Sequence, residues 1–179
     1  MGAVMTSTWP CTRLLVDLAR GPIQIELAPD EATRAEIART VTLEALPRLT
    51  AQLTLSPWLD GAELTGRFEA EVTQICSVTL DPFNQTLSGE IHVTMVPAGS
   101  PNAPGEEGPE VELDPDDPDP PDILEGERVD LSSYLVEHLA LEIDPFPRKP
   151  GAKFDYVPDR AEESPFSVLR KLQDPKSST

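Results

Sequence analysis

The apolar residues change period several times along the chain, and the longest regular stretch lies in its middle. Phe68, Ala70, Val72, Cys76, Val78 and Leu80 recur two apart with Gln74 the single polar break, and Glu69, Glu71, Thr73, Ile75, Ser77 and Thr79 stand between them. A period of two sends alternate side chains to opposite faces of a strand. Leu87, Gly89, Ile91, Val93 and Met95 repeat the pattern against Thr86, Ser88, Glu90, His92 and Thr94, and Asp81, Pro82, Phe83 and Asn84 offer a turn between the two runs. The pattern predicts a long antiparallel hairpin with one face on a core. An isolated hairpin is marginal in water, so other elements must cover that face.

Upstream, Leu49, Ala51, Leu53 and Leu55 alternate with Thr50, Gln52, Thr54 and Ser56, which predicts another strand, and Pro57, Gly61 and Gly66 turn the chain before the hairpin begins. Ile23, Ile25 and Leu27 predict a short strand entered through Gly21 and Pro22. From Glu31 to about Leu46 the spacing of Ala32, Ala35, Ile37, Ala38, Val41 and Ala45 is helical, with Asp30 placed as its cap and the β-branched Thr40, Val41 and Thr42 weakening its later part. Pro47 ends this helix or lies in the link beyond it. A second helix begins after Asp130, with Leu131, Leu135, His138 or Leu139, and Glu142 along one side, Tyr134 adjacent, and Leu141 and Ile143 facing the core as it ends. Ser164 and Pro165 open a short C-terminal helix with Phe166, Leu169 and Leu172 on one stripe.

These elements define an α+β fold: an antiparallel or mixed sheet, able to close toward a barrel, with two main helices, a short C-terminal helix and a long acidic, proline-rich loop. The expected organisation is one domain over residues 13–172, a disordered acidic insert at 97–121, and flexible termini at 1–12 and 173–179.

Composition sharpens this picture. Proline is 20 of 179 residues, about twice the usual frequency of roughly 5%. Many of the prolines fall between Pro97 and Pro121, beside the acidic run Glu110, Glu112, Asp114, Asp116, Asp117 and Asp119. That stretch has little apolar area to offset a backbone ordering cost of roughly 1–2 kcal/mol per residue. Its acids are interleaved with prolines and lack the glycine turn and terminal glutamate of a calcium loop, so no metal is expected there. The formal net charge of -18 opposes loose association with nucleic acid phosphate, so RNA contact requires a local basic patch or a basic protein partner, and no DNA partner is expected. No apolar run is long enough for a membrane span and no secretion signal is visible, which makes a cytoplasmic, membrane-free protein the expectation.

Chemistry is hard to find. Cys11 and Cys76, with His92 and His138, have no zinc spacing; Cys76 reads as a buried small residue of the strand and Cys11 as an exposed, incidental thiol. There is no phosphate-binding glycine loop, serine elbow or helical histidine pair, so no enzyme, catalytic residue or cofactor is expected. The segment Asp144, Pro145, Phe146, Pro147, Arg148, Lys149, Pro150, Gly151, Ala152 stands out instead. Its prolines restrain a backbone that carries two cations beside an aromatic. Arg148 offers a fork of donors suited to phosphate or carboxylate, and Lys149 a mobile charge. Either the segment contacts RNA phosphate or a protein partner, or its cations dock on the protein's own acids. The candidate binding residues are Phe146, Arg148, Lys149, Lys153, Arg170 and Lys171.

Three signatures carry a resemblance. They are Ala70, Val72, Thr73, Gln74, Cys76, Val78, Thr79, Leu80, Pro82 and Phe83; Val129, Asp130, Leu131 followed by Glu137, His138, Leu139, Ala140 and Leu141; and the run from Asp144 to Gly151. Together they resemble the bacterial large ribosomal RNA subunit accumulation protein family, YceD, from about Arg13 to Leu172, and look like its alphaproteobacterial branch. The resemblance implies a cytoplasmic, non-enzymatic role in 23S ribosomal RNA accumulation and large-subunit biogenesis, with precursor 23S RNA or a basic ribosomal or assembly protein as partner. Other branches carry a cysteine cluster near the C-terminus. This chain has no cysteine after Cys76, so no role of that cluster carries over.

Overall fold

The alternating residues of the central stretch form the three longest strands of the protein. The computed structural model describes residues 5–7, 9–104 and 119–154. Strands β1 (Met5–Ser7), β3 (Ile23–Leu27), β4 (Ala45–Trp58), β5 (Gly61–Ile75), β6 (Pro82–Pro97) and β7 (Asp122–Leu124) make one sheet in the order β1-β3-β4-β5-β6-β7. Pairing is antiparallel through the centre and parallel at both ends, between β1 and β3 and between β6 and β7, so the sheet is mixed. The order ends on β1 and β7, and no closure into a barrel is seen among the described residues. A second sheet pairs β2 (Thr12–Leu14) with β8 (Arg128–Asp130).

Burial follows the period of two. Leu49, Ala51, Leu53 and Leu55 of β4, and Leu64, Phe68, Ala70 and Val72 of β5, turn inward, while Glu69 and Glu71 turn out. Helix α1 (Glu31–Thr40) packs Ile37 and Ala38 on this face, and α2 (Leu131–Glu142) packs Leu131, Leu135 and Leu139. Gly89 of β6 lets the Phe68 ring lie close against the strand: a Cβ there would sit 2.7 Å from the ring and 3.1 Å from Glu142 of α2. The core is therefore closed at β6 by an aromatic crossing a position without a side chain.

Both helix starts behave as their sequences predict. Asp30 accepts a hydrogen bond from the Thr33 amide at 2.8 Å, and the Thr33 side chain, followed by that amide, holds its carboxyl below the ordinary carboxylate range; Asp130 accepts from Ser132 and Ser133. The ends differ more. Helix α1 stops at Thr40 rather than near Leu46, and Thr42 takes a left-handed φ of 60°. Three β-branched residues in a row outweigh the weak apolar period beyond Arg39. Ala45 then begins β4, and Pro47 falls at a register shift between Ala45 and Arg48, where no ladder N–H is required. Leu141, expected to face the core, is exposed.

Two further expectations are corrected. The β5 strand ends at Ile75, and residues 76–81 form the turn, so Val78 and Leu80 leave the alternation; Leu80 has φ 61° and is exposed. Cys11 is buried, not exposed. Its N–H donates to Ser132 Oγ at 2.6 Å and its carbonyl accepts from Leu131 N–H at 2.9 Å, which fastens the N-terminal stretch to the start of α2. Past the acidic loop, regular structure resumes at β7. The Tyr134 hydroxyl donates to Asp122 there, and burial, followed by that carboxylate, raises the tyrosine above its ordinary pKa. On the near side of the acidic loop, Ser100 and Asn102 both donate to Asp60 Oδ1 at 2.9 Å. Residues 105–118 of the expected insert, and the expected helix after Ser164, lie outside the described residues.

Candidate functional site

The proline-bounded basic segment sits against the tip of the β5–β6 hairpin, and its backbone makes most of the attachment. Gln74, the polar break in the alternating series, is buried and donates from Nε2 to the Asp144 carbonyl at 3.0 Å. Gln85 on the facing strand donates to the Gln74 side-chain oxygen. Ser77 N–H donates to the Pro147 carbonyl at 2.8 Å, and Lys149 N–H to Cys76 Sγ at 3.3 Å. Within the segment, Asp144 Oδ1 accepts from Phe146 N–H, and Ala152 N–H donates to the Lys149 carbonyl at 3.0 Å. Pro150 and Gly151, the latter at φ 80°, occupy the central positions of that turn, as a type II turn requires.

Cys76 serves this attachment. It is buried, as its place in the sequence predicts, but it lies just past the strand and its sulfur accepts from the Val78, Thr79 and Lys149 amides. A hydrogen bond from the Thr79 side chain, then the Lys149 amide, holds its thiol down at about 6.

A fixed backbone leaves the side chains outward. Phe146, Arg148, Lys149 and Lys153 are all exposed. Lys149 Nζ lies 3.7 Å from Asp81 Oδ2, a half-exposed pair of small energetic weight, whereas Arg148 and Lys153 have no partner among the described residues. Four of the candidate residues thus fall on one short segment. Arg170 and Lys171 lie outside the described residues, and their relation to it is not defined.

A second surface is the outer face of the sheet. Registers carry Glu26, Gln52, Arg67 and Glu90 into one row across β3 to β6, with Arg48, Glu71 and Thr86, then Thr50, Glu69 and Ser88, in the rows beside it. Arg48 reaches both Glu69 and Glu71 at 3.4 Å, and Glu63 meets His92 at 3.0 Å. Glu26, Glu63, Glu69, Glu71 and Glu90 therefore outnumber the two arginines on a face otherwise of Thr, Ser, Gln, Asn84 and His92. Sequence reading located the acid in the loop and missed this face; the signal was present in the polar residues that alternate with the core.

His138 Nδ1 bonds the Tyr134 carbonyl one turn back, His92 is tied to Glu63, and the two thiols are buried in separate places. No group of three or more His, Cys, Asp or Glu among the described residues is placed to hold a metal ion, and no described helix is long and apolar enough to cross a membrane. The described molecule is a mixed α+β fold. A family model described as Large ribosomal RNA subunit accumulation protein YceD matches residues 64–173, and the chain belongs to that family. At the level of the family, its role lies in ribosomal RNA accumulation and subunit biogenesis. No curated protein and no solved structure matches the chain.

Proposed function

We propose that this protein supports accumulation of 23S ribosomal RNA as a non-enzymatic binding factor that engages a basic assembly partner, such as a ribosomal protein, through its acidic surface. The observation that carries this reading is the outer sheet face, where Glu26, Glu63, Glu69, Glu71 and Glu90 stand on the same side of the sheet as Arg48 and Arg67. A net charge of -18 adds a long-range field that draws a cationic partner in and repels bare phosphate. Shielding such a partner until it meets RNA, or steering it there, fits the family's role.

A second reading is direct contact with precursor RNA through Phe146, Arg148, Lys149 and Lys153, joined by Arg170 and Lys171. It is favoured by the exposed guanidinium of Arg148, without a partner among the described residues, on a restrained backbone that loses little entropy on binding phosphate. The same run, with no cysteine beyond Cys76, supports placing the chain in the alphaproteobacterial-like branch of the family. Crosslinking in cells, with sequencing of attached RNA and identification of attached protein, separates the two mechanisms. Recovery of a basic protein without an RNA adduct at the 146–153 segment supports the adaptor. RNA adducts at Arg148 or Lys149 with no protein adduct would overturn it.

A further inference from the structure

Strand β6 is longer than its neighbour on one side can cover. It pairs with β5 along its length, but β7 meets only Met95, Val96 and Pro97, so, among the described residues, 82–94 form an edge of the sheet. The direction of its backbone groups follows from the β4–β5 turn. Trp58 and Gly61 close a two-residue hairpin and exchange both hydrogen bonds, so odd residues of β5 bond toward β4 and even ones toward β6. Thr73 accepts from Glu44 on the β4 side, and Cys76 donates to Asp81 on the β6 side, as this alternation requires. Across the β5–β6 register, the N–H and C=O groups of Asn84, Thr86, Ser88, Glu90, His92 and Thr94 then point away from the sheet. Ala98, four residues beyond Thr94 and of the same parity, donates to Leu124 of β7.

A long unpaired edge is a hazard that proteins usually blunt with lysine, an internal proline, a bulge or a short strand. Here the β5–β6 register runs unbroken, the prolines stand only at the two ends of β6, and its one charged carboxylate or amine is Glu90. No described residue hydrogen-bonds to the backbone of this edge. Three aspects of charge select its occupant. Glu90 lies on the edge strand, Glu63, Glu69 and Glu71 lie on the strand behind it, and a second copy of this chain would bring another charge of -18 to the same place. Self-pairing is disfavoured, while a cationic strand gains both ladder bonds and cross-strand ion pairs.

We propose that the free edge of β6, residues 84–94, is a strand-addition site for an extended basic segment of a partner protein. The proposal rests on the adaptor reading and names how that adaptor grips its partner: backbone pairing supplies register, and alternate cationic side chains lie over the glutamates of the outer face.

The test uses the full-length protein and a synthetic peptide in which Lys alternates with Val and Thr, beside the same peptide N-methylated at alternate backbone amides. The expected result is binding of the first peptide, at least about tenfold weaker binding of the second, and slowed hydrogen exchange at Thr86, Ser88, Glu90 and His92 when the first is bound. Ser88→Pro removes an edge N–H without touching the β5 ladder and is expected to weaken binding with the thermal midpoint kept. Glu90→Lys provides a second variant that keeps every backbone group and places a cation on the edge. Equal binding of both peptides, or binding without protection of those amides, would overturn strand addition while leaving the acidic adaptor standing. Slow exchange of the same amides in the free protein would also overturn it, with sedimentation showing whether a second copy or the chain itself occupies the edge. Failure of the unmethylated peptide to bind overturns this proposal, and the cellular crosslinks then decide the adaptor independently.

Discussion

Replacing Arg148 by Glu together with Lys149 by Gln tests whether the basic segment serves contact or internal docking. The attachment to the hairpin tip runs through the Asp144 and Pro147 carbonyls and the Lys149 amide, none of which the substitution removes. What is lost is the Lys149–Asp81 pair at 3.7 Å, with side chains 46% and 59% exposed. Such a pair contributes at most about 1 kcal/mol, and Arg148 has no partner among the described residues to lose. At about 2–4 °C per kcal/mol for a chain of this size, the thermal midpoint is expected to fall by less than about 4 °C. The comparison is Gln74→Ala, which leaves the Asp144 carbonyl and the Gln85 amide without their buried partner and costs about 1–3 kcal/mol. Both variants are followed by circular dichroism melting and by the level of large-subunit RNA in cells that rely on the variant. A melting loss in the double variant as large as that of Gln74→Ala would show that the cations pin the segment. Unchanged RNA levels with an unchanged melt would remove the segment from function altogether.

Other outcomes follow from the core and the tip. Leu135→Ala, at a fully buried position of α2, is expected to lose about 2–5 kcal/mol in denaturant unfolding; a loss below about 1 kcal/mol would mean that α2 is not packed on the sheet as described. Gly89→Val drives a side chain into the Phe68 ring and is expected to lose about 1–3 kcal/mol in the same assay, with Phe68→Leu relieving part of it. Because the Cys76 thiol is held down at about 6, the folded state binds fewer protons than the unfolded chain between that value and the ordinary thiol range. Its contribution to stability is therefore present above that range and fades as pH falls through about 6. Melting of the wild type relative to Cys76→Ala is expected to rise with pH across this window, and a pH-independent difference would contradict the hydrogen-bonded sulfur.

Much of the fold was legible because its strands alternate strictly. Residues 49–55, 68–72 and 87–95 have the faces that their period predicts, and Asp30 and Asp130 cap the helices that follow them. Three things were not legible. Gln74 broke the pattern, and a polar residue at an inward position announces a buried partner without naming it; the partner, the Asp144 carbonyl, lies 70 residues away. Cys11 had no periodic context, and its burial depends on β2 and β8 meeting across the whole chain. The β5–β6 turn was misplaced because Val78 and Leu80 continue the apolar count after β5 has ended at Ile75. The candidate cations were found by composition, but their attachment to the hairpin tip is a tertiary fact that local spacing does not encode.

The two-residue turn at Leu59 and Asp60 has a practical consequence. The stretch that the family model recognises opens at residue 64, inside β5, while the strand that shields one flank of β5 ends at Trp58. Cutting there would separate the halves of a hairpin and strip Leu64, Phe68, Ala70 and Val72 of Leu49, Ala51, Leu53 and Leu55. The stretch that the family model matches is thus smaller than what must fold together, and a truncated product beginning at that boundary would leave the inward face of β5 without its β4 neighbours.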